Sequence, residues 1–225
     1  MNKCIIFDLD ETLGYFSQIY IIILRLEELY KIKLSYGQYY KIFEKYENIF
    51  RPGIFVLLAY LNALKNKYDF KIILYTNTTL PDSFLGNIIK YLNDRIHNKA
   101  NIFDDIITLR SSCRNGIKKQ FTDIYNCLGY LNNGYVFLII DNDIHSKLDK
   151  LYSKLIKVNN YNYKYLISDI WNGLHEILMI EKKYNIVDKI IIDGDKNMKI
   201  YNKCKNDVLN LFSIINKFIN IKYIK

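Results

Sequence analysis

The sequence contains little proline and cysteine and no long hydrophobic run. Its 225 residues include two Pro and four Cys. No pair of cysteines has the close spacing of a zinc site, so a zinc-binding module is not predicted. The most apolar early stretch, residues 19–24, is far too short to span a bilayer. No internal repeat and no Pro/Ser-rich linker divides the chain, which is long enough for one sizeable domain with a real core.

The few cysteines also bear on the compartment in which the protein works. They are Cys4, Cys113, Cys127 and Cys204. We expect all four to be reduced, Cys4 as a buried free thiol, and the protein to be intracellular, in the cytoplasm or nucleus. The first predicted strand begins by residue 4, which leaves no room for a cleavable signal peptide, so secretion is not expected.

The composition is that of a folded and basic chain. Half of the residues are hydrophobic and 15% are aromatic, which excludes a disordered chain. The net charge is +9, and 27 of the 32 basic residues are lysines spread along the sequence. Such a balance is compatible with nucleic acid or an acidic substrate as partner. An A/T-rich genome and a solvated lysine surface are the favoured explanation, and no membrane partner is expected.

Short apolar runs alternate with helical patterns along most of the chain. Buried strands are predicted at residues 4–8, 71–76, 106–109, 135–141 and 154–158. Helices are predicted at 24–30, 39–46, 52–65, 79–96, 121–128 and 145–152, and from a cap at Ser168 or Asp169 to residue 181. This alternation predicts an α/β fold, a Rossmann-like parallel sheet with helices on both faces.

Two segments stand apart from this alternation. Residues 14–50 predict a small helical insert, a modest cap, within a main domain of residues 1–185. Residues 186–225 predict a C-terminal extension, in which 189–193 and 198–201 flank a turn and form a hairpin. A helix should follow, because apolar residues recur at helical spacing at Val208, Leu211, Phe212, Ile215 and Ile219. Packing of this helix on the domain is favoured over binding of a partner.

Polar side chains follow the strands at the points where they end. Asp8 and Asp10 close the first run, and side chains two apart on a strand share a face. The others, in chain order, are Thr76 after the second run, Lys118 or Lys119 before the fourth, and Asp141 at its end. Ligands of such sheets bind beyond the carboxyl ends of the strands, so these groups should meet at one rim.

This ordered set resembles the haloacid-dehalogenase-like (HAD-like) superfamily of phosphotransferases. Within it, Asp8-Leu9-Asp10-Glu11-Thr12-Leu13 and Arg51-Pro52-Gly53 are similar to the NLI-interacting-factor-like branch, which contains the phosphatases of the RNA polymerase II C-terminal domain. The continuation Leu13-Gly14-Tyr15-Phe16 and the run Tyr75-Thr76-Asn77 are most similar to short phosphatase-like proteins encoded by large DNA viruses. The resemblance covers residues 3–182.

The resemblance implies a role for each residue of the set. Asp8 is expected to be the nucleophile that forms an aspartyl-phosphate, and Asp10 to protonate the leaving oxygen and then deprotonate the attacking water. Thr76 is expected to bind a phosphoryl oxygen. A lysine would offset the phosphoryl charge and hold Asp8. Lys119 is favoured over Lys118, although the family pattern has Asp where this chain has Gln120.

The resemblance also implies Mg²⁺, because a carboxylate must approach a dianion and this ion prefers oxygen ligands. The expected metal ligands are Asp8, the backbone carbonyl of Asp10, and Asp141 or Asn142. Further substrate contacts are expected from Thr12, Asn77 and Arg51.

The activity implied is Mg²⁺-dependent hydrolysis of a phosphomonoester, with a protein phosphorylated on serine or threonine as substrate. A cap made by residues 14–50 would instead favour a small phosphomonoester. A nucleotide or polynucleotide-end phosphatase is the second interpretation, because a basic surface suits nucleic acid. A non-catalytic binding module that keeps the fold is the third, and Gln120 is its only hint.

Overall fold

The structure, a computed structural model, describes residues 2–65, 67–97, 100–129, 134–148, 153–183 and 194–221. The described residues form five strands: β1 (Asn2–Phe7), β2 (Phe70–Tyr75), β3 (Asp105–Ile107), β4 (Tyr135–Asp141) and β5 (Ser153–Lys157). The helices are α1 (Ser17–Tyr30), α2 (Tyr36–Lys45), α3 (Ile54–Lys65), α4 (Asp82–Arg95), α5 (Phe121–Cys127), α6 (Ile167–Leu178) and α7 (Gly194–Asn220), with a 3₁₀ turn at Glu47–Ile49.

The strands form one parallel sheet in the order β3-β2-β1-β4-β5. Phe7, the last residue of β1, lies opposite Leu74 of β2 and Ile140 of β4. The carboxyl ends of these three strands are therefore level. From β1 the chain continues to β2 and β3 on one side and then crosses to β4 and β5 on the other side. The ends of β1 and β4 therefore lie at the topological switch point of the sheet.

Side chains of the central strand alternate between two cores, as strand geometry requires. Ile5 and Phe7 lie in a large core that also takes residues from every helix except α5. Cys4 and Ile6 lie in a smaller core, with Phe121 and Ile124 of α5. Both faces of the sheet are covered, which explains why β1, β2 and β4 read as nearly continuous apolar runs. The predicted fold class is confirmed.

The segment of residues 14–50 packs into the large core. Phe16, Ile23 and Phe43 are at most 1% exposed, and they belong to the same core as β1. Helix α2 begins with a capping box, in which the Ser35 backbone N–H donates to Gln38 Oε1 at 2.8 Å. The helical character of the segment is as predicted, and its role as a cap stays a prediction.

Three local predictions are wrong. Residues 198–201 lie inside α7, so this arm of the predicted hairpin is helical; the other arm, 189–193, lies outside the described residues. The less exposed side chains recur every three or four residues from Asn197 onward, which favours one long helix.

Residues 146–148 form a turn where a helix was expected, while 149–152 lie outside the described residues. Ser168 and Asp169 lie within α6 and do not cap it, because the helix begins directly after Leu166. None of the described helices combines the length and apolar character that crossing a membrane requires.

Candidate active site

A cleft of about 360 Å³ lies beyond the carboxyl ends of β1, β2 and β4. Seven of the nine predicted site residues line it: Asp8, Asp10, Thr76, Asn77, Lys119, Asp141 and Asn142. The described lining is completed by Glu11, Thr78, Asp143, His145 and Asn160. Thr12 and Arg51, the two remaining predicted residues, are buried behind the cleft. The strand-end rule therefore brought distant residues to one site, as the sequence pattern predicted.

A tight loop after β1 turns the two carboxylates towards the cleft. The Asp8 N–H donates to the Ile140 carbonyl at 3.0 Å, which extends the pairing of β1 with β4 by one residue. The chain then turns at Glu11, which has a left-handed φ of 57°. A Cβ atom at Gly14 would lie 2.5 Å from the carbonyl oxygen of Ile49. Glycine is therefore required where the loop passes the backbone of residue 49.

A buried ion triad forms the floor of the cleft. Lys119 Nζ donates to Asp8 Oδ1 at 2.6 Å and to Asp141 Oδ2 at 2.7 Å. All three side chains are less than 10% exposed. A buried charge is tolerated only when it is paired, so the ammonium and the two carboxylates depend on each other. Lys118, the alternative lysine, is exposed.

The carboxyls of the triad have different proton affinities. Burial raises the pKa of Asp8 to about 6, although the charge of Lys119 opposes the rise. Burial acts in the same direction on Asp141, but a hydrogen bond with His145 and the charge of Lys119 together hold its pKa below the usual value. His145 Nε2 lies 3.3 Å from Asp141 Oδ2. The charged form of Asp141 is thus favoured, and it pairs with Lys119.

Asp10 differs from its neighbours because it has no cation of its own at bonding distance among the described residues. Burial raises its pKa, opposed mainly by a hydrogen bond from the Thr78 side chain. Its Oδ1 is buried without a hydrogen-bond partner in the described structure. A carboxyl group whose pKa is raised and which lines a cleft is suited to donate a proton to a leaving group.

Three oxygen atoms converge at one side of the cleft without a hydrogen between them. Asn142 Oδ1 lies 3.3 Å from Asp8 Oδ2 and 3.0 Å from the carbonyl oxygen of Asp10. Ligands of Mg²⁺ lie at about 2.1 Å in octahedral geometry, which separates neighbouring ligand oxygens by about 3.0 Å. With the amide in this orientation, the two separations are compatible with neighbouring ligands of Mg²⁺. Exchanging the oxygen and nitrogen of the amide satisfies its hydrogen bonding without a metal, because the nitrogen then donates to the same two oxygens.

Other candidate ligands are less well placed. Asp141 Oδ2 is engaged by Lys119 and His145, and its Oδ1 accepts the Asp143 N–H at 2.8 Å. Asn142 is therefore better placed than Asp141 to complete the metal set. No group of three or more His, Cys, Asp or Glu side chains suited to a metal occurs in the described ranges, so such a site depends on the carbonyl and the amide.

The two predicted threonines have different surroundings. The Thr76 hydroxyl accepts the Thr78 N–H at 3.1 Å, so its own proton is available to an oxygen in the cleft. The Thr12 hydroxyl donates to Asn142 Oδ1 and accepts the Asn142 N–H, both at 3.0 Å. Thr12 therefore orients Asn142 from behind. Asn77 lines the cleft, and its Oδ1 is buried without a partner in the described structure.

Comparisons with known proteins show a similarity to solved structures. No protein-family model matches the chain, and no curated protein matches it. YfnB from Bacillus subtilis, assigned as a HAD-hydrolase and solved with bound magnesium, aligns with a TM-score of 0.39 and 14% identity, over 65% of this chain and 81% of that one. A similarity of this size does not carry a functional assignment.

Arg51 lies behind the cleft, 1% exposed, and ties the loop after β1 to the C-terminal helix. Its Nη2 donates to the carbonyls of Glu11 and Asn159, each at 2.6 Å, and its Nε donates to the Thr12 carbonyl. Its Nη1 pairs with Asp207 of α7 at 3.2 Å. The guanidinium thus holds the backbone of the loop between Asp10 and Gly14, and its predicted contact with substrate is not favoured by this geometry.

Replacing Arg51 with methionine should lower the free energy of unfolding by about 3 kcal/mol, because Asp207 and three carbonyl oxygens lose a buried partner. Arg25→Met is the matched control, since the Arg25–Glu28 pair lies on the surface and should contribute less than about 1 kcal/mol. Urea unfolding monitored by circular dichroism measures both variants. Equal stabilities of the two would contradict the role assigned to Arg51.

The motifs did not predict a buried network of hydrogen bonds that holds the chain next to Lys119. The Tyr75 hydroxyl donates to Asp123 Oδ2 at 2.6 Å and accepts the Gln120 N–H at 3.1 Å. Arg114 Nε lies 3.4 Å from the same Asp123 oxygen. This network fixes the backbone beside Lys119 at the position where the family pattern has an acid. Thr78, two residues after Thr76, and His145, four after Asp141, were also missed, although their spacing is a usable signal.

Two cysteines are paired, contrary to the expectation that all four are reduced. Cys113 and Cys127 form a disulfide that closes the segment containing Arg114, Lys119 and Asp123. Cys4 and Cys204 are free and buried. The expectation was wrong for the pair because cysteines 14 residues apart along the chain become neighbours only when α5 folds back against this segment. The disulfide joins the lysine-bearing segment to the end of α5.

Proposed function

We propose that the protein is a Mg²⁺-dependent phosphomonoester hydrolase that works through an aspartyl-phosphate at Asp8. The observation that supports this most directly is the pairing of two carboxyls with opposite surroundings in one cleft. Asp8 is held by the Lys119 ammonium at 2.6 Å. Asp10, two residues on, has no cation at bonding distance among the described residues, and its Oδ1 has no hydrogen-bond partner there. One carboxyl is arranged to attack and the other to carry a proton.

In the first step, an oxygen of the Asp8 carboxylate attacks the phosphorus atom and the ester P–O bond breaks. The departing alkoxide takes the proton of Asp10, so an alcohol leaves. Lys119 and the hydroxyl of Thr76 donate to phosphoryl oxygens or hold the attacking carboxylate while charge redistributes. Both donors are fixed by burial, so they need little rearrangement during the reaction.

In the second step, water attacks the phosphorus of the aspartyl-phosphate. The Asp10 carboxylate takes a proton from that water, the bond between phosphorus and the Asp8 oxygen breaks, and inorganic phosphate leaves. Both residues return to their starting states. A bound Mg²⁺, held by Asp8, the Asp10 carbonyl and Asn142, would supply the positive charge that allows a phosphoryl dianion to approach a carboxylate.

As substrate we propose a phosphoserine or phosphothreonine side chain of a protein. None of the described residues of segment 14–50 is among those that line the cleft. The helical insert therefore leaves room for a phosphorylated side chain carried on a polypeptide. We also propose that the protein belongs to the NLI-interacting-factor-like phosphatases, a membership that agrees with this substrate.

The proposal is tested by hydrolysis of an aryl phosphate with Mg²⁺ and with a chelator. We expect turnover only with Mg²⁺, and a higher melting temperature in the presence of Mg²⁺ and beryllium fluoride, which mimics the phosphoryl group on Asp8. Binding of beryllium fluoride without turnover would indicate a catalytically silent module. Absence of both binding and turnover would remove the catalytic proposal altogether.

A further inference from the structure

A second groove, of about 520 Å³, adjoins the catalytic cleft. The residues common to both are Asn77, Lys119, Asp143 and His145. Because these side chains line both spaces, the groove lies directly beside the cleft, within reach of a chain attached to a phosphoryl group at Asp8. One wall is residues 117–118, just before Lys119, and the other is residues 144–147, after β4.

Backbone contacts hold both walls in position. Arg114 Nη2 donates to the Ile117 carbonyl at 3.2 Å. The Phe121 N–H donates to the Lys147 carbonyl at 3.2 Å, which joins one wall to the start of α5. Arg114 is itself buried against Asp123. These contacts hold the backbone of each wall at one point, which lowers the ordering cost of binding.

Each wall carries an exposed aliphatic side chain. Ile117 is 75% exposed and Ile144 is 70% exposed. A single exposed isoleucine is ordinary on a protein surface. Two of them on the two walls of one groove, next to a catalytic cleft, form an apolar surface that an aliphatic side chain of a ligand can cover.

The charge of the groove is opposite to that of the cleft. Lys118 and Lys147 line it and are exposed, and neither belongs to an ion pair within the described ranges. Asp143 is the one acidic side chain among its described lining residues. The neighbouring cleft is lined by five acids. The groove therefore attracts an anionic group that is separate from the phosphoryl group at Asp8.

The lining also discriminates between kinds of substrate. No aromatic side chain is present among the residues known to line the groove. Nucleobases are usually bound by stacking on aromatic rings, and this groove offers aliphatic side chains instead. A peptide with aliphatic and acidic residues matches both the isoleucines and the lysines.

We propose that this groove binds the residues beside the phosphorylated serine or threonine of a peptide that carries an aliphatic and an acidic side chain. The inference rests on the proposed function and specifies its substrate class. The aliphatic side chain packs between Ile117 and Ile144, and the carboxylate pairs with Lys118 or Lys147. The groove thereby selects the sequence around the phosphorylated residue.

The test compares kcat/KM for an aryl phosphate and for two phosphopeptides, Glu-Leu-pSer-Leu-Glu and Lys-Leu-pSer-Leu-Lys. Their symmetry makes the direction of binding irrelevant. The variants are Lys118→Glu/Lys147→Glu and Ile117→Ser/Ile144→Ser. The matched controls are Lys205→Glu and Leu209→Ser, which change exposed side chains of α7.

We expect wild type to have the higher kcat/KM for the acidic peptide. The lysine variant should lower kcat/KM for the acidic peptide about tenfold and raise kcat/KM for the basic peptide. The isoleucine variant should lower kcat/KM for both peptides, and neither variant should change turnover of the aryl phosphate. Normal aryl phosphate turnover together with unaltered peptide preference in both variants would overturn the groove assignment alone. If the variants instead slow only the hydrolysis of a 5′-phosphorylated oligonucleotide, the occupant of the groove is nucleic acid and the peptide assignment is wrong.

Discussion

Replacing Asp8 with asparagine should lower turnover of an aryl phosphate by about 10⁴-fold or more, because an amide cannot attack phosphorus and the covalent route is lost. The substitution keeps the shape of the side chain. The loss should therefore appear in kcat, and the variant should no longer gain stability from beryllium fluoride.

Replacing Asp10 with asparagine should lower kcat by about 10²- to 10⁴-fold, which is the usual contribution of a positioned acid or base. The backbone carbonyl that faces Asn142 is unaffected by this change, so the dependence on Mg²⁺ concentration should stay close to that of wild type. This separates the proton-transfer role of Asp10 from its role as a ligand.

Asp69→Asn is the matched control for both substitutions. Asp69 is exposed and immediately precedes β2, at the edge of the sheet opposite to the cleft. Its variant should match wild type in turnover and in Mg²⁺ dependence. If Asp8→Asn kept a substantial part of the Mg²⁺-dependent activity, Asp8 could not be the nucleophile.

The second large effect is expected for Lys119→Ala, which should lower turnover by about 10²- to 10³-fold. Without the ammonium, the buried carboxylates of Asp8 and Asp141 have lost their common partner. One of them must then take up a proton or admit water, and the attacking carboxylate loses its orientation.

Lys118→Ala is the neighbouring control, because Lys118 is exposed and contacts neither carboxylate. It should leave aryl phosphate turnover unchanged. Steady-state kinetics at saturating Mg²⁺ and a melting curve for each variant provide the comparison. Equal and mild losses for the two lysines would refute the assignment of Lys119.

Much of the fold could be predicted because strands buried on both faces have a simple signature. In β1, the run from Cys4 to Phe7 is apolar throughout since alternate side chains enter two different cores. In β2, the apolar run from Ile72 to Tyr75 is followed directly by the polar Thr76. The helix of the C-terminal segment was only partly anticipated, because the sparse apolar residues between 194 and 203 fit a short strand as well as an exposed helix.

Contacts between distant parts of the chain explain the errors. Arg51 and Asp207 are 156 residues apart, so nothing near Arg51 indicates that its guanidinium will be buried. Cys113 and Cys127 meet because α5 reverses the chain. Asp123 resembles an ordinary helix-start acid, and only its hydrogen bond from Tyr75 of β2 shows that it supports Lys119.

The sequence by itself determined the alternating parallel sheet and the presence of two acids, a hydroxyl and a lysine at its rim. It could do so because strand periodicity is local and because the carboxyl ends of parallel strands share one edge. Only the tertiary structure decided that Arg51 supports the catalytic loop, that Asn142 is better placed than Asp141 to face a cation, and that a basic groove adjoins the cleft. Those properties depend on burial and on hydrogen-bond partners, which are set by residues far away along the chain.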